Sequence, residues 1–216
     1  MTPALPVGCV IAVLGARGTG KTELANAIAA RLAQRDIAAE LVADPLPAPQ
    51  TLPGLIEAAF ARTNRIAAAA RRGVVIADGT ALTTAVDADL RFGDTSLYEH
   101  ALAAHRSHAI TLLMAFDLPA AAASTPDAQA EADKSDALLR AALARAGAPY
   151  GVIHGRGPDR LASAWNAINA RAEAGGVSSS SGRTASGERA WFWPCDKCSD
   201  PACEHRLFRD LIARRP

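Results

Sequence analysis

The sequence predicts an α/β fold in which a parallel sheet is covered by helices on both faces. Three observations predict it. Short β-rich apolar runs alternate with Ala-rich helical stretches along the chain. The first, third and fourth runs are almost entirely apolar, as strands buried on both faces should be. A Gly-rich turn joins the first run to the first helical stretch.

Each element follows from local pattern. Val7–Leu14 reads as a buried first strand. Lys21 to Arg35 is an amphipathic helix, with Leu24, Ile28 and Leu32 four apart on one face. Ala39–Val42 is a second strand. Asp44 to Pro53 carries four prolines (Pro45, Pro47, Pro49 and Pro53) and is expected to be loop. Gly54 to Arg71 is helical by composition, and Gly73–Ala77 is a third strand that ends at Asp78. Ser96 to His105 reads as helix and Ala109–Phe116 as a fourth strand. Ala120 to Ala132 is small and polar, a loop or frayed helix. Asp133 to Ala146 is a helix closed by Gly147, which suits a C-cap. Tyr150–Ile153 is a fifth strand. Pro158 to Arg171 is a last helix, with Pro in its first turn.

Composition then shifts. Ala174 to Ala190 has almost no large apolar residue and reads as a flexible linker. Beyond it, Trp191, Phe192, Trp193 and Phe208 are four of only ten aromatics in the chain, so the end of the sequence is a distinct region. The expected organisation is a domain over 1–171, a linker over 172–190 and a tail over 191–216. There is no internal repeat.

Charge and composition narrow the function. A net charge of +1 leaves no electrostatic footprint for nucleic acid or an anionic membrane. No apolar run reaches the roughly 18 residues of a membrane span. The first residues lack a basic region and a long apolar segment, so no signal peptide is expected, and a cytoplasmic setting with reduced thiols is. Ala occupies 51 of 216 positions, and 20 of 23 basic residues are Arg. Against that background each of the three lysines (Lys21, Lys134 and Lys197) is worth a chemical question.

Lys21 has an answer. Gly15-Ala16-Arg17-Gly18-Thr19-Gly20-Lys21-Thr22 fits G-x4-G-K-[ST], between a buried strand and a helix. Gly15, Gly18 and Gly20 let the backbone turn tightly and approach phosphate oxygens. Amides around Gly18 to Thr22 point at the anion, Lys21 reaches the β- and γ-phosphates, and the Thr22 hydroxyl is placed to ligate Mg²⁺. Without a ligand the same residues would be only a Gly-rich turn.

Asp78 closes the run Val74-Val75-Ile76-Ala77-Asp78, the Walker B pattern of an acid at a strand end. It would hold Mg²⁺, directly or through water. The plainer alternative is an acid capping the next helix or turn, near Thr80. Asp44, after the second strand, is a candidate base for an accepting hydroxyl, or merely a loop acid beside Pro45. Gly155-Arg156-Gly157-Pro158 follows the fifth strand, where Arg156 would stack on an adenine, or the segment is a plain turn. A GTPase reading lacks support. Asp133-Lys134-Ser135-Asp136 has the wrong first residue for [NT]-K-x-D and starts a helix.

The tail supplies Cys195-x2-Cys198-x4-Cys203-x-His205. Three thiols and an imidazole suit tetrahedral Zn²⁺, which would supply folding energy that so small a core lacks. The alternative is reduced surface cysteines, with a redox Cys-x-x-Cys the minor reading. Cys9, inside the first strand, reads as a small buried hydrophobe. Leu207 to Arg215 reads as a short helix with arginines on its polar side, a solvated face or a partner-binding one.

Several stretches together resemble the NadR-type nicotinamide riboside kinase domains and their relatives, ATPase/kinase domains linked to NAD metabolism. They are the Gly15–Thr22 loop, Val74 to Val86, Phe92-Gly93-Asp94 with Leu97-Tyr98, Asp117-Leu118-Pro119, Asp136 to Arg140 and Gly157 to Leu161. The resemblance spans roughly residues 7 to 170. It implies a three-layer P-loop NTPase fold with sheet order 2-3-1-4-5, ATP and Mg²⁺, and phosphoryl transfer to a nucleoside-type hydroxyl. Two departures stand out. The family's lid carries Trp, Asp-Gly and Arg after Asp-x-Pro. Here Ala120 to Ala123 follow, and no basic residue appears until Lys134. The family's Glu-rich, aromatic segment after the second strand is replaced by Ala43-Asp44-Pro45-Leu46-Pro47. Lid arginines stabilise charge on the transferred group, so their loss lowers the expected rate. The expected function is an ATP- and Mg²⁺-dependent ATPase or nucleoside-type kinase. The alternative is a catalytically weak nucleotide-binding regulatory module whose zinc tail meets a protein or nucleic acid. Lys134 or Arg140 at the phosphates would favour the kinase.

Overall fold

The computed structural model describes residues 2–43, 49–115 and 126–176, all within a compact unit spanning Met1–Ser179. Five strands form one parallel sheet: β1 (Val10–Leu14), β2 (Ala39–Val42), β3 (Val74–Asp78), β4 (Ile110–Met114) and β5 (Gly151–Ile153). Their order is β2-β3-β1-β4-β5, with every neighbouring pair parallel. The helices are α1 (Lys21–Ala33), α2 (Leu52–Ala70), α3 (Ala81–Phe92), α4 (Leu97–His105), α5 (Pro126–Ala146) and α6 (Gly157–Gly176).

The two-residue period of the strands builds three layers. Ile11 and Val13 of β1, with Ile76 and Leu112, face Leu24, Ile28 and Leu32 of α1 and Trp165 and Ile168 of α6. Leu14 and Leu113 face the other way, onto Leu55 of α2, Leu82 of α3, Leu102 of α4 and Leu143 of α5. Val75 and Ala77 meet Ile66 and Ala69 of α2 on that second face. Because both faces are covered, β1, β3 and β4 are buried at every position.

Helix ends account for the differences from the sequence reading. Leu52 and Pro53, the last two residues of the segment expected to be loop, already belong to α2, because Thr51 caps it and Pro53 falls in the first turn. The Thr51 hydroxyl accepts from Gly54 N at 3.3 Å. The helix α3 has no counterpart in the sequence reading, which passed from the third strand to Ser96. Its Thr-rich start obscured an N-cap signal in Thr80. At the other end, α5 begins at Pro126, so 126–132 is helix. The helix α6 continues through Ala172 and Glu173 to Gly176, past the domain end expected at Arg171. Cys9 is buried, 4% exposed, and burial pushes its thiol up to about 11, so it is an inert core residue. Among the described residues, no helix is long and apolar enough to cross a membrane.

Candidate functional site

The polar groups expected to work together meet at the C-terminal ends of β1 and β3, where ligands of open parallel sheets bind. The turn from β1 to α1 is shaped by glycines. A Cβ on Gly15 would stand 2.8 Å from Met114 Cβ and 2.9 Å from Thr19 Oγ1, so the close approach to β4 admits no side chain. Gly18 and Gly20 have φ of 76° and 80°, in the left-handed region. Gly20 is the N-cap of α1 and brings no capping side chain, which leaves the first-turn amides available to an anion. The loop closes on one carbonyl: Ala16 O accepts from Thr19 Oγ1 at 2.8 Å and from Lys21 Nζ at 2.8 Å. Burial pushes the Lys21 pKa below its ordinary value. Asp78 and Asp87 pull it back up, while Arg17 and Arg62 push it down.

Asp78 ends β3, in register with Val13 of β1, and is 5% exposed. The Thr22 hydroxyl donates to Asp78 Oδ2 at 2.6 Å, joining the first turn of α1 to the end of β3. The capping alternative for Asp78 is overturned, because Thr80 caps α3. The Thr80 hydroxyl accepts from Leu82 N at 3.1 Å, and the Thr83 hydroxyl accepts from Thr80 N at 3.2 Å.

Two site residues were missed by sequence reasoning. Arg62 of α2 is 5% exposed, and its guanidinium donates to Thr80 O at 2.9 Å and to Thr83 Oγ1 at 3.1 Å. Burial lowers its pKa to about 10, with Arg65 pushing the same way and Asp78 and Asp87 opposing. The signal was present: Leu55, Ala59, Arg62, Ile66 and Ala69 form the buried stripe of α2, and an Arg in such a stripe needs a polar partner. Asp87 of α3 meets Arg17 of the phosphate loop at 3.3 Å. No pattern marked Asp87 while α3 itself was unassigned.

The β5–α6 turn lies against the same loop. Arg160, 5% exposed, donates from one guanidinium nitrogen to Thr19 O and from another to Gly155 O, each at 2.7 Å. That bridge sets the turn holding Arg156 beside the phosphate loop, with Arg156 exposed. Arg140 has other partners: it donates to Asp136 Oδ2 at 2.6 Å and also bonds Tyr150. Lys134 is exposed on α5. Asp44, the Asp117 to Ser124 stretch, Lys197 and the cluster Cys195, Cys198, Cys203 and His205 lie outside the described residues.

Thr22 and Asp78 together offer a hydroxyl and a carboxylate, the hard oxygen donors that fit Mg²⁺. That ion usually takes one or two protein oxygens and fills its shell with water and phosphate. Among the described residues no three His, Cys, Asp or Glu side chains cluster to hold a metal by themselves, so this donor set fits a metal that arrives with phosphates.

A family model described as AAA domain matches residues 10–160. No curated protein matches the chain significantly. Among solved structures, a NadR protein in complex with NR superposes with a TM-score of 0.55 at 16% identity, over 77% of this chain and 51% of that one. A NadR protein in complex with NAD and AMP-PNP gives 0.55 at 17% identity, over 77% and 50%. A deoxyadenosine kinase from M. mycoides with products dCMP and dCDP gives 0.53 at 13% identity, over 74% of this chain and 99% of that one. The chain thus shares their P-loop kinase fold, and it spans about half the length of the NadR chains.

Proposed function

The chain belongs to the AAA-domain family, and from that premise we propose that it binds ATP with Mg²⁺ and transfers the γ-phosphoryl group to a nucleoside-type hydroxyl or to water. The observation that carries the reading is the 2.6 Å contact between Thr22 and Asp78, with Lys21 one residue away on the phosphate loop. A hydroxyl and a carboxylate this close form the metal end of an ATP site, and an ammonium at that loop forms its phosphate end.

Each residue has a role in this reading. The amides of Gly15 to Thr22, with Ala16, Arg17 and Thr19 between the glycines, surround the phosphates. Lys21 exchanges Ala16 O for phosphate oxygens. Thr22 and Asp78 would hold Mg²⁺, which when bound neutralises charge between the phosphates. Arg156 lines the adenine end, and Asp44 is the proposed base for the acceptor. The neighbours whose titles name NR, dCMP and dCDP support a nucleoside-type acceptor. The organisation into domain, linker and Cys-rich tail is likewise proposed, with Cys195, Cys198, Cys203 and His205 binding about one Zn²⁺ per chain. Metal analysis of the purified protein tests it, and zinc that survives Cys198→Ser with Cys203→Ser rejects it.

One observation favours the second reading, a weak or regulatory nucleotide-binding module. Arg140, a candidate for the phosphates, is engaged by Asp136 and Tyr150 instead. ATP turnover with a nucleoside panel that includes nicotinamide riboside, on wild type and Lys21→Ala, decides between them. Turnover dependent on Lys21 supports the enzyme. ATP binding without such turnover supports the module.

A further inference from the structure

We propose that Arg17 is a built-in arginine finger, which leaves Asp87 in the loaded site and binds the oxygens of the phosphoryl group in transit. The inference rests on the phosphotransfer reading above. Its first support is position. Arg17 stands in the phosphate loop between Gly15 and Gly18, so its backbone is part of the cradle and its side chain starts at the rim. Its guanidinium crosses to α3 and meets Asp87 Oδ2 at 3.3 Å. Arg17 and Asp87 both act on the Lys21 ammonium, together with Asp78. Lys21 is the residue of this motif that reaches the β- and γ-phosphates, so Arg17 lies at the reacting end of the site.

The second support is a comparison with Arg62, Arg160 and Arg140. Residues 117–133 contain no Lys or Arg, so that stretch contributes no cation of its own. Arg62 is buried and fixed on Thr80 O and Thr83 Oγ1. Arg160 is buried and bridges two carbonyls. Arg140 is held by Asp136. Arg17 differs from all three, since its side chain is 65% exposed and its one ion pair is with a partly exposed carboxylate. Such a pair is weak and readily exchanged. The planar guanidinium fork then matches two non-bridging oxygens of a phosphoryl group.

In the step itself the acceptor oxygen forms a bond to the γ-phosphorus as the bond from that phosphorus to the β–γ bridging oxygen breaks. ADP leaves with the bridging oxygen and its electron pair, and the acceptor proton passes to the base proposed above. Arg17 contributes no atom. It neutralises charge on the three equatorial oxygens, which is the role of an arginine supplied in cis. Asp87 holds the guanidinium until the phosphates compete for it.

The test compares Arg17→Ala, Arg17→Lys and Asp87→Asn with wild type, all on the full chain. Readouts are kcat, KM for ATP, and affinity for two probes: AMP-PNP with Mg²⁺, and ADP with Mg²⁺ and aluminium fluoride. Arg17→Ala should lower kcat about 10³-fold with KM little changed. It should lose the ADP–fluoride complex while keeping AMP-PNP. Arg17→Lys should recover little, because a point charge does not replace the fork. Asp87→Asn, which frees Arg17, should tighten the ADP–fluoride complex. Wild-type kcat in Arg17→Ala, or equal loss of both probes, overturns the finger while leaving ATP turnover standing. A looser ADP–fluoride complex in Asp87→Asn overturns the holding role. A wild type with no turnover on any acceptor or water overturns the phosphotransfer reading and this inference with it.

Discussion

The two ends of the same sheet treat polar side chains in opposite ways. At the C-terminal ends of β1 and β3, Lys21, Thr22, Arg17 and Asp78 are tied by contacts that a ligand can replace: a lysine on a carbonyl, a hydroxyl on a carboxylate, an exposed ion pair. At the N-terminal end of β4, polar groups are closed on one another. His105, 1% exposed, bonds Thr111 Oγ1 through Nε2 at 3.1 Å and His108 Nδ1 through Nδ1 at 3.1 Å. Of two ring nitrogens facing each other, one must carry the proton and the other accept it. Burial lowers the His105 pKa to about 4. Burial, then the neighbouring His105, lowers that of His108 to about 3. One end holds charged groups on contacts that a ligand can replace, and the other excludes charge to hold the fold together.

Breaking the first end should show in activity more than in stability. Lys21→Ala should lower ATP turnover about 10³-fold or more, equivalent to roughly 4 kcal/mol of barrier, while thermal unfolding stays nearly unchanged. A large loss of unfolding temperature would mean that Lys21 acts through the fold. Breaking the second end should show in stability alone, and as a function of pH. The folded-state pKa values of His105 and His108 lie below their ordinary 6.5, so the stability they protect is complete above pH 6.5. It is lost as pH falls through about 4 for His105 and about 3 for His108, because the unfolded chain takes up protons first. For His105 that loss is about 3 kcal/mol. Denaturant titrations from pH 7 to pH 4 should show it, and a His105→Gln, His108→Gln double variant should flatten the slope. An unchanged slope would assign acid sensitivity to carboxylates elsewhere.

Gly15→Ala sharpens the comparison, because it touches both qualities at one place. Its Cβ would collide with Met114 Cβ of β4 and with Thr19 Oγ1, which anchors the loop on Ala16 O. We expect a stability loss of about 1–3 kcal/mol together with a weaker AMP-PNP affinity. A variant that loses stability but binds AMP-PNP as wild type does would show that the loop tolerates a shifted Gly15.

Much of the molecule was legible in the residues because its signals are local. A strand, a Gly-rich turn and Lys21-Thr22 lie in one stretch, and the turn's positive φ values need glycine wherever they occur. The acid ending the third apolar run was found the same way. Helix α3 was not, since Ala81 to Ala85 offer one large apolar residue, Leu82, beside two Thr, and their periodicity is faint. Its cap, Thr80, makes sense only with the reciprocal bonds of Thr83. Missing α3 also hid Asp87 and the partners of Arg62, whose contacts are made across helices rather than along the chain. Arg140 illustrates the reverse case. The sequence offered it to the phosphates, yet one helical turn places Asp136 beside it at the spacing that suits an ion pair.

By itself the sequence determined what depends on neighbours in the chain: five strands with helices between them, the phosphate loop, and the acid at the end of β3. Periodicity, glycine conformation and residue chemistry act over a few positions, and no folding is needed to read them. Only the tertiary structure decided which polar groups share a site. Thr22 meets Asp78, Arg17 meets Asp87, and Arg160 ties Thr19 to Gly155 because the parallel order β3-β1-β4-β5 brings distant strand ends together. Electrostatics and hydrogen bonding fall off over a few ångströms, so such partnerships are set by proximity in space.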